Sequence, residues 1–108
     1  MKKDNDYEHI LELFRESVPV FDVLSDVTRQ NIIMLLADKK YGLNVNTITE
    51  LMPLSRPGVS HHLKVLKQAG IVDNKKSGTE NYYFLTLKEP IDRLKDLITS
   101  IENSCTLK

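Results

Sequence analysis

The stretch Ser55–Gly70, SRPGVSHHLKVLKQAG, constrains this chain more than any other, because both ends of a single helix are written into it. Ser55 is a natural N-cap, and Arg56 and Pro57 fall in a first turn where a missing backbone donor costs nothing. Gly70 is placed to stop the helix in a left-handed residue. At 100° per residue, Val59, Leu63 and Leu66 share one side, while Ser60, His61, Lys64 and Gln68 lie broadly opposite. Three aliphatics thus anchor an outward face that is polar, cationic and poor in carboxylates. Such a face suits a DNA major groove. An ordinary amphipathic surface helix explains this helix alone equally well, so the flanking sequence decides.

Upstream, Thr47 starts a short helix with Ile48 and Leu51 as its expected buried residues, and Pro53 closes it. Only Pro53-Leu54 separates it from Ser55. Two helices so closely joined form a helix-turn-helix, in which the first braces the second across a groove. Downstream, Ile71-Val72 and Tyr82-Tyr83-Phe84-Leu85 are β-prone runs flanking Lys75-Lys76-Ser77-Gly78-Thr79-Glu80. This predicts a hairpin with lysines at its tip, able to act as a wing against a phosphate backbone or minor groove. Tyr82 and Tyr83 alternate along the strand, so one should be buried and the other exposed.

Asp4–Ser17 reads as an amphipathic helix that Pro19 interrupts, with Val20, Phe21, Val23 and Leu24 continuing as a second helical segment. Asp26 can cap a helix over Val27–Asp38, whose block Ile32, Ile33, Leu35 and Leu36 is central to the core. Leu43–Asn46 is then short and extended, with Val45 inward. From Pro90 to about Cys105 a last helix carries Ile91, Leu94, Leu97, Ile98, Ile101 and Cys105 at spacings of three and four. That stripe finds no obvious partner in a core already filled by the central helices. Together with the first helix it is assigned to a homodimer interface of Ile10, Phe14, Leu94, Leu97, Ile98 and Ile101. The expected fold class is mainly α (α+β): a winged helix-turn-helix with N- and C-terminal dimerisation helices. Residues 1–108 form a single domain, with dimerisation helices over 1–24 and 90–106, the helix-turn-helix over 47–70 and the wing over 71–86.

Length and composition, 108 residues with 41% apolar and 28% charged, are those of an ordinary globular domain. The longest apolar run, Ile32–Ala37, is too short to span a bilayer, and MKKDNDYEHI lacks the apolar segment of a secretory signal. A cytoplasmic location is expected. Net charge is zero but unevenly placed: seven acids face three bases from Met1 to Asp26, whereas five cations face one acid from Ser55 to Lys76. The single cysteine, Cys105, allows no internal disulfide and no cysteine cage within one chain. Enzymatic readings fail, since the chain has no glycine-rich phosphate loop and no nucleophile beside an evident base.

The segments LSDVTRQNIIMLL, LSRPGVSHHLKVLKQAGIV and KSGTENYYFL together resemble the ArsR family of bacterial winged-helix transcriptional repressors, over essentially the whole chain. The Asp-x-Thr-Arg at Asp26–Arg29 adds to the likeness. The resemblance implies a homodimer that blocks transcription from operator DNA, released in many members by a metal or metalloid ion. It implies that Arg56, Ser60 and His61 approach bases and that Lys64, Lys75 and Lys76 serve the backbone; Gln68 joins them from its place on the outward face. The sensing half departs from the family pattern. The Cys-Val-Cys of metalloid-sensing members falls on Asn44 and Asn46, whose carboxamides are poor substitutes for thiolates. The last helix has no histidine, and Asp92, Asp96 and Glu102 sit there at the spacing of a solvated face. The expectation is therefore double-stranded operator DNA as partner, a homodimer, no cofactor, no metal ligands and no inducer named by the sequence. Two other readings stay open: a winged-helix protein-interaction module, and a metal sensor with an atypical site drawing on His9 or Cys105.

Overall fold

The computed structural model describes residues 2–104, with side chains described from Tyr7 onward. Cys105 and the last part of the expected 90–106 helix lie outside the described residues. The order is α1 (Lys2–Leu24), α2 (Val27–Leu36), β1 (Leu43–Asn44), α3 (Val45–Leu51), α4 (Arg56–Gln68), β2 (Val72–Ser77), β3 (Glu80–Leu85) and α5 (Lys88–Ser104). The strands form one antiparallel sheet in the order β1-β3-β2. No helix among the described residues is long and apolar enough to cross a membrane.

The core gathers Val20 and Val23 of α1, Ile32 and Leu36 of α2, Ile48 of α3, Val59, Leu63 and Leu66 of α4, and Ile71 and Val72 at the base of the hairpin. Each such side chain taken out of water contributes about 1.5–3 kcal/mol. The aliphatic side of α4 therefore fixes the roll of that helix, and with it the direction of the opposite face.

Several expectations are corrected. Pro19 does not interrupt α1, which runs through it as one 23-residue helix. A proline there deletes one backbone hydrogen bond and costs about 3 kcal/mol. Leu13, Ser17, Val20 and Val23 form one buried stripe only if the helix stays continuous, and their burial outweighs that cost. The Ser17 hydroxyl is satisfied within the stripe by donating to the Leu13 carbonyl at 2.8 Å.

Leu51 is exposed, not buried. The third helix starts at Val45 instead of Thr47, because Asn44 caps it, accepting the Thr47 amide on its side-chain oxygen at 2.8 Å. Val45 then joins Ile48 on the core side. Leu51, turned about 60° from Ile48 in the opposite sense, faces away.

The hairpin is longer and its turn shorter than expected. Ser77 pairs with Glu80, leaving Gly78 and Thr79 as a two-residue turn, so Lys75 and Lys76 lie in β2 opposite Tyr82 and Asn81. Polar residues on both faces gave no alternating pattern, since the end of a protruding hairpin is wet on both sides. Tyr82 and Tyr83 are both half-buried: Tyr83 packs on the core, and Tyr82 is flanked by Asn44 of β1 and Lys75 of β2. The approach of β1 depends on Gly42, where a Cβ would drive into the Tyr83 carbonyl.

The stripe on α5 does have a partner in its own chain. The helix packs along α1, which buries Leu97 to 3% exposure and sets Leu94 against the core. Ile10 and Ile101 are half-buried, while Phe14 and Ile98 remain exposed.

Candidate nucleic-acid interface

The helix α4 is built as its sequence dictates. The Ser55 hydroxyl accepts the Gly58 amide at 3.2 Å, Pro57 lies in the first turn, and Gly70 follows the helix with φ +78°. Val59, Leu63 and Leu66 are fully buried beneath it. Ser60, His61, Lys64 and Gln68 are all exposed on the other side, as is Arg56 at its start. No acidic residue lies within α4.

Lys75 and Lys76 are exposed on β2, and neither they nor Lys64 form an ion pair among the described residues. Lys67 has no role in the sequence pattern, yet its ammonium is engaged: it lies 3.9 Å from Asp73 and donates to the Asn74 side-chain oxygen at 2.5 Å. This ties the end of α4 to the start of the wing. The three unpaired lysines keep their charge available to an outside anion, whereas Lys67 commits part of its own to holding two elements together.

The start of α4 is tied in as well. Arg56 donates through Nη1 to the Asn46 side-chain oxygen. Asn44 caps α3 with its oxygen and donates through Nδ2 to Glu80 at 3.1 Å, and Tyr82 donates its hydroxyl to the same carboxylate oxygen at 3.3 Å. Hydrogen bonds through Asn44 and Asn46 thus link α3 to the wing and to α4. The carboxamides of Asn44 and Asn46 are therefore both committed to protein partners. On α5, Asp92 pairs with Lys88 at 3.1 Å and Glu89 with Arg93 at 2.9 Å. This donor set does not fit a soft metal ion, and no cluster of three metal-ligating residues occurs among the described residues.

Behind the reading face, Asp26 caps α2 by accepting the Arg29 amide at 3.1 Å. That bond holds the Asp26 carboxyl below the usual carboxylate range; burial opposes the effect and the Arg29 charge reinforces it. The Arg29 guanidinium reaches His62 on α4, with Nη1 3.4 Å from Nδ1. Helical spacing puts His62 on the flank of the buried side, where it is half-buried, but gives Arg29 no role of its own. The Asp-x-Thr-Arg pattern was the available signal.

A short bracing helix, a tight turn, an acid-free helix with an exposed polar face and a two-stranded wing define a winged helix-turn-helix of the DNA-binding class. Relatives make the class specific. The family model described as "Bacterial regulatory protein, arsR family" matches residues 26–74. The uncharacterized HTH-type transcriptional regulator MJ1325 of Methanocaldococcus jannaschii is 34% identical over 92 residues, which are 85% of this chain and 98% of that protein. The transcriptional repressor SdpR of Bacillus subtilis is 34% identical over 87 residues, 78% of this chain and 94% of its own. Among solved structures, the homodimeric winged helix-turn-helix DNA-binding domain of Mycobacterium bovis Mb0332 aligns with a TM-score of 0.67 at 26% identity, covering 86% of this chain and 83% of that one. The chain belongs to the ArsR family of bacterial transcriptional regulators, which are DNA-binding proteins and not enzymes.

Proposed function

We propose that this protein is a homodimeric, sequence-specific repressor that reads an inverted-repeat operator in double-stranded DNA without the metal sites usual in its family. The observation that carries the reading is the acid-free exposed face of α4, held outward by three fully buried aliphatics beside unpaired lysines of the wing. Arg56, Ser60, His61 and Gln68 approach base edges, while Lys64, Lys75 and Lys76 neutralise phosphates.

Pairing of two copies is supported by the outer faces of the terminal helices. Phe14, Val18 and Phe21 of α1 recur at helical spacing and are 40–56% exposed, and Ile98 of α5 is 57% exposed. Ile10, Leu94 and Ile101, each half-buried, and the buried Leu97 complete the proposed interface. To read an inverted repeat, a dimer built on this surface must hold its two α4 helices one turn of B-form DNA apart, roughly 34–36 Å. The naming of SdpR as a repressor and the homodimeric state of the Mb0332 domain support the same assignment.

Selection of bound duplexes from a random pool tests it. Enrichment of an inverted repeat is expected. Recovery of unselected sequence would remove the reading and leave a protein-interaction module in its place; a single half-site bound by a monomer would remove the dimer.

A further inference from the structure

Arg29 sits one turn into α2 with a largely covered side chain, 13% exposed. It donates in three directions: Nε to the Val23 carbonyl at 3.2 Å, Nη2 to the Asp22 carbonyl at 3.4 Å, and Nη1 to Nδ1 of His62 at 3.4 Å. Asp22 and Val23 lie in the last turn of α1, where the Asp22 carbonyl also accepts the Ser25 hydroxyl at 2.7 Å and the Val23 carbonyl the Asp26 amide at 3.4 Å. His62 lies on α4, next to His61 on the exposed polar face. A guanidinium can only donate, so in this contact Nδ1 of His62 is the acceptor. The fork therefore spans the end of the first helix and the flank of the reading helix, thirty-three residues away in sequence from Arg29.

We propose that Arg29 is a positioning residue for DNA reading, a strut that transmits the placement of α1 to α4 through His62. The inference rests on the operator-binding function proposed above. A planar fork with five donors suits three acceptors in different directions, and a lysine ammonium cannot span them all. Burial of Val59, Leu63 and Leu66 fixes which side of α4 faces in. Arg56 and Lys67 tie the two ends of α4 to α3 and the wing; the Arg29–His62 contact restrains its middle, beside His61. Arg29 touches no base in this arrangement and acts only through the helix it holds.

The test compares Arg29→Lys, His62→Leu, His62→Asn and the Arg29→Lys/His62→Leu double variant with wild type. Each is measured for melting midpoint and for the ratio of affinity for the selected operator over random duplex, at one salt concentration. Asparagine keeps an acceptor close to the position of Nδ1; leucine does not. Folded Arg29→Lys and His62→Leu proteins are expected to lose roughly tenfold in that ratio, with His62→Asn retaining most of it and the double variant no worse than either single. The two His62 variants give the same comparison if Arg29→Lys melts too low to assay. An unchanged ratio in folded His62→Leu, or additive losses in the double variant, would overturn the strut while leaving operator binding intact. A wild-type protein with no preference among duplexes would overturn both.

Discussion

His61 stands exposed on the polar side of α4, one position from a histidine held by Arg29. If it reads a base edge, His61→Ala should narrow the gap between operator and random DNA by about 1–3 kcal/mol for each base pair it addresses. Equal weakening on both duplexes in a competition titration would assign it to the backbone instead. Asp26 gives a second prediction at this scale. Its carboxyl is held below the ordinary range by the Arg29 amide, so the ionised form is favoured in the folded chain. The resulting stabilisation is complete above the ordinary carboxylate value and fades as pH falls through the lower folded-state value. Asp26→Asn keeps a capping oxygen but cannot ionise. Any stability difference between wild type and this variant at neutral pH should therefore shrink below about pH 4 in acid denaturation. The caps at Ser55 and Asp26 were legible in the sequence because a side-chain oxygen before an apolar repeat has one obvious use. The Asn44 cap was not, since the same asparagine also had to be read as part of a strand.

The terminal helices show at element scale what periodicity can and cannot tell. The stripe on α5 was plain, but spacing alone does not say which of several apolar surfaces covers it. Leu97 faces α1 of its own chain, and Ile98, one residue on, faces outward. The two substitutions should accordingly separate. Leu97→Ala is expected to destabilise the fold by about 2–5 kcal/mol in denaturant titration. Ile98→Asp should shift sedimentation from dimer to monomer while the protomer still unfolds cooperatively. A dimer that persists in Ile98→Asp would place the interface elsewhere. Likewise, Pro19 carries a strong local preference that lost to one buried stripe. The strand β2 carries a weak one that won because its partner strand supplies the hydrogen bonds.

At the scale of the whole molecule, a dimer using Lys64, Lys75 and Lys76 of both subunits would neutralise about six phosphates, and log affinity should fall against log salt with a slope of roughly −5. Changing Lys75 and Lys76 together to glutamine should make the slope shallower by about 3 to 4, with little effect on which sequence is preferred. A slope unmoved by that change would take the wing off the DNA. The architecture and the outward side of α4 could be read from residues close together in sequence. The links that set one element against another could not: Arg29 to His62, Asn44 to Glu80 and Arg56 to Asn46 each join residues ten or more positions apart. Nothing in the local pattern of either partner announces the other.

The passage from β1 into α3 leaves no slack. Leu43 and Asn44 pair with Tyr83 and Tyr82, and Asn44 is already the cap of the helix that follows. A residue spliced in there would have to break either the strand pairing or the cap, whereas the Gly78–Thr79 turn meets no neighbour at the Gly78 Cβ position and can lengthen at little entropic cost. The fold therefore tolerates added residues at the end of the hairpin, and the joint at residue 44 is where a single-codon insertion would cripple the protein.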